Sequence, residues 1–165
     1  MIPKRLQAYL QKQEIAAEAV SHRTVYTAYD LAQTTGLKLE QIAKTVLLSV
    51  QPGYGEEKAK YVLAVVPASH DLVIDKIKRL LKVKKVSFAK EVVMSKLFKV
   101  KPGAMVPFGA MHKNIPVIVD SNLAKMKKIL VRSGSFTDSL FVRAKDVIAA
   151  SEAVVGAMTK KAKRH

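Results

Sequence analysis

Lys44 stands just ahead of the apolar run Val46-Leu47-Leu48, within the segment Ile42–Leu48. A lysine placed there has its backbone held by a strand and its ammonium available for a phosphate, a carbonyl or a developing oxyanion. The alternative is a strand-edge lysine laying its stem over apolar surface, and spacing alone favours that one. Thr45 beside it either donates one hydrogen bond or packs into the core. A second segment, Pro102-Gly103-Ala104-Met105-Val106-Pro107-Phe108-Gly109, has two glycines bracketing Pro107 and no acidic residue. Glycine permits positive φ and close backbone approach, so exposed N–H groups there can hold an anion or a carbonyl oxygen. A plain connection between helix and strand is equally consistent. The segment lacks the Gly-Lys-Ser/Thr ending of a triphosphate-binding loop. Ser133-Gly134-Ser135 offers hydroxyl and backbone donors to a ribose or carbonyl, although such residues also favour any turn. Asp120 closes the run Val117-Ile118-Val119 and either orients Lys44 or caps the next helix, capping being the commoner role. His22 has no Ser/His/Asp constellation around it and no metal-ligand spacing with His70, His112 or His165, and a lone histidine is usually structural. With no cysteine, the chain has no thiolate nucleophile, disulfide or thiolate metal site.

The pattern around these residues names the elements that must hold them. Lys4 to Gln13 is predicted as a helix, with Pro3 near its first turn and Leu6 and Leu10 one turn apart. Ile15 to Ser21 is extended. Thr27 followed by Asp30 is a helix N-cap with a third-position acid, Gly36 is its stop, and Leu39 to Ala43 adds a turn. Lys44 to Val50 and Tyr61 to Val66 flank a Pro/Gly turn, which predicts an antiparallel hairpin. Asp71 to Leu81 is helical, with Val73, Ile77, Leu80 and Leu81 on one face and Lys76, Lys78, Arg79 and Lys82 off it. Val86 to Phe88 is a short strand and Glu91 to Phe98 a short helix. Pro116 to Val119 is a strand leading into a helix over Ser121 to Lys127. Ile129 to Arg132 and Leu140 to Arg143 are strands around the Ser133–Thr137 turn. A last helix opens at Asp146, with Val147, Ile148, Val154, Val155 and Met158 along one face. Short strands joined by turns, with helices between them, predict a mixed sheet packed against helices in one domain.

The 165 residues suffice for one substantial core, and 49% apolar with 25% charged residues is ordinary for a soluble protein. No apolar run reaches the roughly 18 residues of a membrane span, and no apolar stretch follows the positive N-terminus, which argues against a secretory signal. The charge is +16, from 29 Lys plus Arg against 13 Asp plus Glu. Much of it is clustered: Lys76 to Lys85, Lys125 to Arg132, and Lys160, Lys161, Lys163 and Arg164. Clustering favours a polyanionic partner, because each neutralised phosphate releases condensed counterions, over a lysine surface kept for solubility.

The order and spacing of four segments, Ile42–Leu48, Pro102–Gly109, Val117–Asp120 and Ser133–Thr137, resemble the YbaK and prolyl-tRNA-synthetase-associated editing family from about His22 to Val155. The resemblance implies a YbaK-like α+β (mixed α/β) domain over residues 1–157, with a mixed, mostly antiparallel curved sheet and helices packed around it. A basic C-terminal tail over 158–165 would follow. It also reverses the preference at Lys44, making it the central functional cation. The Gly103 loop would close over an aminoacyl group, with Pro107 and Gly109 setting its path. Ser133, Gly134 and Ser135 would line the same cleft, which His22 supports. Lys44 and Gly134 are thus the catalytic candidates. His22, Thr27, Thr45, Gly103, Pro107, Gly109, Asp120, Ser133 and Ser135 are the substrate-binding ones, with no metal and no cofactor. Thr27 stands where the cysteinyl-selective branch has an aromatic residue and Val20 where it has a tyrosine; Tyr26 and Tyr29 compensate. Removal of Cys, Ala, Ser or Thr stays open.

Ester hydrolysis needs an activated water, a stabilised oxyanion and exclusion of the correct substrate. In the resembled family a hydroxyl of the terminal tRNA ribose assists, leaving positioning and oxyanion stabilisation to Lys44 and the Gly103 and Gly134 backbones. An apolar pocket discriminates one methylene by only roughly 1–3 kcal/mol, which makes a second, hydrolytic site useful. The expectation is a cytoplasmic, trans-acting hydrolase: an aminoacyl-tRNA deacylase acting on tRNA for proline charged with Cys, Ala or a similar amino acid. Its partners would be mischarged tRNA and prolyl-tRNA synthetase, with no membrane. A non-enzymatic RNA-binding module and an inactive relative binding a partner are the rival classes.

Overall fold

The most apolar stretches become the centre of the molecule. In the computed structural model, which describes residues 2–101 and 103–163, Ala43–Tyr54 (β2) and Ala59–Pro67 (β3) form the expected antiparallel hairpin. Lys85–Phe88 (β5) pairs antiparallel with the far edge of β2, while Val117–Asp120 (β6) and Val154–Gly156 (β9) add in parallel beyond β3. The open sheet has the order β5-β2-β3-β6-β9. Strand alternation then sorts its side chains. Leu47, Leu63, Val65, Val117 and Val119 enter one core cluster, and Leu48, Val62, Ala64, Val66 and Ile118 another. Both faces are covered, which is why these strands read as unbroken apolar runs rather than alternating ones.

The first face is covered by Lys4–Lys12 (α1) through Leu6 and Leu10, by Ala144–Ser151 (α6) through Val147, and by a second sheet. That antiparallel sheet has the order β1-β8-β7, from Ala17–Ser21, Asp138–Arg143 and Lys128–Arg132. A parallel bridge between Ile42 and Leu130 ties it to the start of β2. The opposite face is covered by Ile74–Leu81 (α3) through Ile77 and Leu81, and by Met158. Ala28–Thr35 (α2), Glu91–Lys96 (α4) and Ser121–Ala124 (α5) complete the helices. The molecule is thus a mixed α+β domain whose pairings are mostly antiparallel, divided among open sheets.

Two stretches depart from the sequence expectation. The last helix does not run on to Met158: Glu152 closes it with φ 48°, and Val154–Gly156 turns into β9. Consecutive β-branched residues suit a strand beside the parallel edge of β6. Residues 158–161 are also no free tail. Thr159–Lys161 (β10) pairs antiparallel with His70–Leu72 (β4), which takes the segment expected to open α3. Lys76 Nζ donates to the Thr159 carbonyl at 2.8 Å, and Met158 is fully buried. Arg164 and His165 lie outside the described residues.

Candidate functional site

The first turn of β2 has an uncovered edge. β5 pairs only with Leu48–Gln51, and the Ala89 N–H closes that ladder on the Leu47 carbonyl at 3.0 Å. No strand pairs with Lys44–Val46 on that side among the described residues, and a cavity of about 600 Å³ opens there. That size lies within the range of small-molecule sites. Lys44, Thr45, Thr27, Gly103 and Arg132 line it, most of the remaining wall is apolar, and no carboxylate lines it among the described residues. Lys44 is exposed, and the buried Thr45 hydroxyl has no hydrogen-bond partner among the described residues.

α2 forms one wall because its ends are fixed locally. Thr27 Oγ1 accepts from the Asp30 N–H at 3.1 Å, as the capping pattern predicts, and Gly36 stops the helix at φ 74°. Leu31 anchors the helix on Val25, Ile42 and Leu130. Thr27 therefore lines the cavity with its hydroxyl already engaged. On either side of it Tyr26 and Tyr29 also line the cavity, yet are 66% and 61% exposed.

The two glycine segments meet each other. Gly103 has φ 81°, and a Cβ there would sit 3.5 Å from the Tyr26 carbonyl oxygen and 3.8 Å from the Phe136 ring. Gly134 has φ 93°, and its Cβ position is 4.0 Å from the Ala104 carbonyl oxygen. The Ser133–Thr137 turn thus braces the Gly103 loop rather than facing the cavity itself. Its hydroxyls are spent internally: Ser133 Oγ donates to the Asp138 carbonyl at 2.7 Å, and Ser135 Oγ accepts the Thr137 N–H at 3.1 Å. His22 supports the same turn from behind. Its N–H donates to the Thr137 carbonyl, Nδ1 donates to the Arg23 carbonyl at 2.8 Å, and Nε2 meets Ser139 Oγ at 2.9 Å.

Pro107, Gly109 and Asp120 do not reach the cavity. Pro107 is buried, and its carbonyl accepts from Ser151 Oγ at 3.3 Å. At Gly109 a Cβ would collide with the Ile115 carbonyl oxygen, so glycine is required by backbone packing. Asp120 is fully buried and caps α5 through the Asn122 N–H at 3.2 Å. Its oxygens also accept from the Met158 N–H at 3.1 Å and the Thr159 hydroxyl at 3.0 Å. Of its two expected roles, this carboxylate has the capping one. The far end of the loop is held by His112, whose Nε2 accepts the Val106 N–H at 3.0 Å; burial pushes its pKa down to about 4.

Arg132 is the site residue that motif reading passes over. It ends β7 in phase with Leu130, so the alternation that buries Leu130 under α2 also turns Arg132 inward. The residue is 7% exposed; its guanidinium donates to the Val25 carbonyl at 3.1 Å and lies 5.6 Å from the Phe136 ring centre. Desolvation pushes its pKa below the ordinary arginine value. The available signal was a charge in phase with buried residues of a short apolar strand, masked by its grouping with nearby surface lysines.

A family model described as aminoacyl-tRNA editing domain matches residues 22–150. Among solved structures, a hypothetical protein, APE2540, superposes with TM-score 0.84 at 21% identity, covering 95% of this chain and 100% of its own. A candidate trans-editing enzyme for prolyl tRNA synthetase gives TM-score 0.80 at 20% identity, covering 95% of this chain and 96% of that one. At such identities the likeness is one of fold. No curated protein matches the chain.

Proposed function

We propose that this chain, which belongs to the aminoacyl-tRNA editing domain family, is a trans-acting deacylase hydrolysing the ester of mischarged tRNA. The observation that carries the reading is Lys44, exposed on the uncovered edge of β2 and lining a cavity roofed by the Gly103 loop. Water adds to the ester carbonyl, and the resulting oxyanion is stabilised by the Lys44 ammonium and by loop N–H groups at Gly103. Collapse breaks the bond to the ribose oxygen, which takes a proton and leaves as a hydroxyl; the amino acid departs as its carboxylate. The neighbouring ribose hydroxyl orients the water and relays its proton, so no protein base is required. Gly134 acts here by holding the loop, Thr27 and Thr45 by shaping the pocket, and Ser133, Ser135 and His22 by fixing the brace behind it.

The substrate proposed is tRNA for proline carrying Cys, Ala or a similar small amino acid, taken in the cytoplasm and with prolyl-tRNA synthetase as the source of the error. Support comes from the family, the cavity's apolar wall and the net charge of +16. The test is a deacylation screen of the purified chain on tRNAs mischarged with Ala, Cys, Ser and Thr. Release from at least one is expected. Inactivity on all four with tRNA for proline sinks the prolyl assignment, and inactivity on every tRNA sinks the enzyme.

A further inference from the structure

A guanidinium carries five N–H donors and cannot shed its charge in a protein. Arg132 places one of them on the Val25 carbonyl, and among the described residues no carboxylate pairs with it. A buried cation without a counter-ion costs several kcal/mol, which a bound anion offsets. The cavity that Arg132 lines has a second cation in Lys44, the unpartnered hydroxyl of Thr45, and no acidic wall residue among those described. Tyr26, whose ring already touches Phe136 with centroids 4.9 Å apart, and Tyr29 stand exposed where the same cavity is lined, offering aromatic surface on which a nucleobase stacks. An anion next to aromatic faces is the chemistry of a nucleotide rather than of an amino-acid carboxylate.

We infer that Arg132 is the anion-binding residue of the cavity and holds the phosphate on the 5′ side of the substrate's terminal nucleoside. This rests on the deacylase reading, in which the ester sits on the ribose of that nucleoside and this phosphate is the anion nearest the bond that breaks. The planar guanidinium fork matches two phosphate oxygens at once. Lys44 is left for the carbonyl, and the arginine becomes the device that tells a tRNA end from a free amino-acid ester.

The test titrates the full chain with 5′-AMP, adenosine and aspartate, followed by NMR. AMP is expected to bind at least about tenfold more tightly than adenosine, the increment of a charge-assisted bidentate contact, and Arg132→Gln removes that preference while Arg132→Lys keeps part of it. With substrates, Arg132→Gln raises KM for aminoacyl-tRNA at least about tenfold and costs a phosphate-free aminoacyl-adenosine ester several-fold less in kcat/KM than it costs aminoacyl-tRNA. Equal binding of AMP and adenosine to the wild-type protein overturns the inference without needing any variant. So does tighter binding of aspartate, which would make Arg132 a reader of acidic side chains. So does an equal loss on both esters in a folded Arg132→Gln protein. AMP preference in a chain that deacylates nothing leaves the phosphate site standing and removes the deacylase; turnover without AMP preference does the reverse.

Discussion

At the scale of single residues, the same side-chain types separate into working and structural groups according to what surrounds them. Lys44 is exposed on a strand edge and contributes little packing, so Lys44→Ala should fold normally and lose at least about tenfold in turnover, roughly 1.4 kcal/mol of transition-state stabilisation. A well-folded variant as fast as wild type removes Lys44 from the mechanism. Asp120 is the opposite case: its oxygens satisfy the Met158 N–H, the Thr159 hydroxyl and the α5 cap. Asp120→Ala leaves the Met158 and Thr159 donors buried and unpaired, at roughly 1–3 kcal/mol each, and urea unfolding should show a loss of several kcal/mol with activity per folded molecule nearly unchanged. A stable but inactive variant would restore Asp120 to the site. His112 sets a pH dependence. Its folded-state value near 4 lies below the ordinary 6.5 because desolvation disfavours the charged ring. The unfolded chain therefore binds the extra proton in that window, so stability is complete above about pH 6.5 and falls as pH drops toward 4. Unfolding at pH 7, 6, 5 and 4 should show the decline, and His112→Gln should flatten it; an unchanged slope excludes His112 as its source.

At the scale of elements, the site depends on where segments stop. β5 covers β2 only from Leu48 onward, and that early ending leaves the edge at Lys44 open. α2 is held in place by its N-cap, so Thr27→Ala should cost about 1 kcal/mol of stability and loosen the cavity wall that carries Tyr26 and Tyr29. The loop from Gly103 to Gly109 has a different requirement at each glycine. Gly103 needs its positive φ, whereas Gly109 has backbone oxygen where a side chain would go. Gly109→Ala should therefore destabilise by roughly 1–3 kcal/mol, as overpacking does, and thermal unfolding checks it; a neutral result means the Ile115 segment can move aside. The helix caps, the central hairpin and the turn at Ser133 were all legible, because each is set by a few neighbouring residues. The β9 and β10 strands were not. Val154-Val155 fits a helix face as well as a strand when read alone, and only the open edge of β6 decides between them.

At the scale of the whole molecule, the excess positive charge meets the architecture at β10. Lys160, Lys161 and Lys163 are exposed, while Ala162 between them lines the cavity and donates its N–H to the Ser69 carbonyl at 2.9 Å. The basic C-terminus is thus part of the cavity rim as well as a candidate RNA-binding surface, and deleting it would remove a strand. Substitution is the sharper experiment. Lys160→Gln, Lys161→Gln and Lys163→Gln together should weaken tRNA binding and lower the slope of log affinity against log salt by up to about 1 for each phosphate no longer neutralised. Hydrolysis of a short aminoacyl ester should persist. Equal slopes for variant and wild type would assign this charge to solubility.

Read along the chain alone, the mixed α+β class, the caps of α2 and α5, the central hairpin and the lysine at its start were already legible. These follow from local pattern: apolar periodicity, capping residues and turn chemistry act over a few positions. Which candidates share a cavity depended on the folded arrangement. It brought Lys44, Thr45, Thr27 and Gly103 together, moved Gly134, Ser133, Ser135 and His22 into a brace behind the loop, buried Asp120 in a hydrogen-bond network, and turned Arg132 inward. The physical reason is that a side chain's direction depends on the phase of its strand, and its solvent access on which distant element covers it. A motif read along the chain records neither.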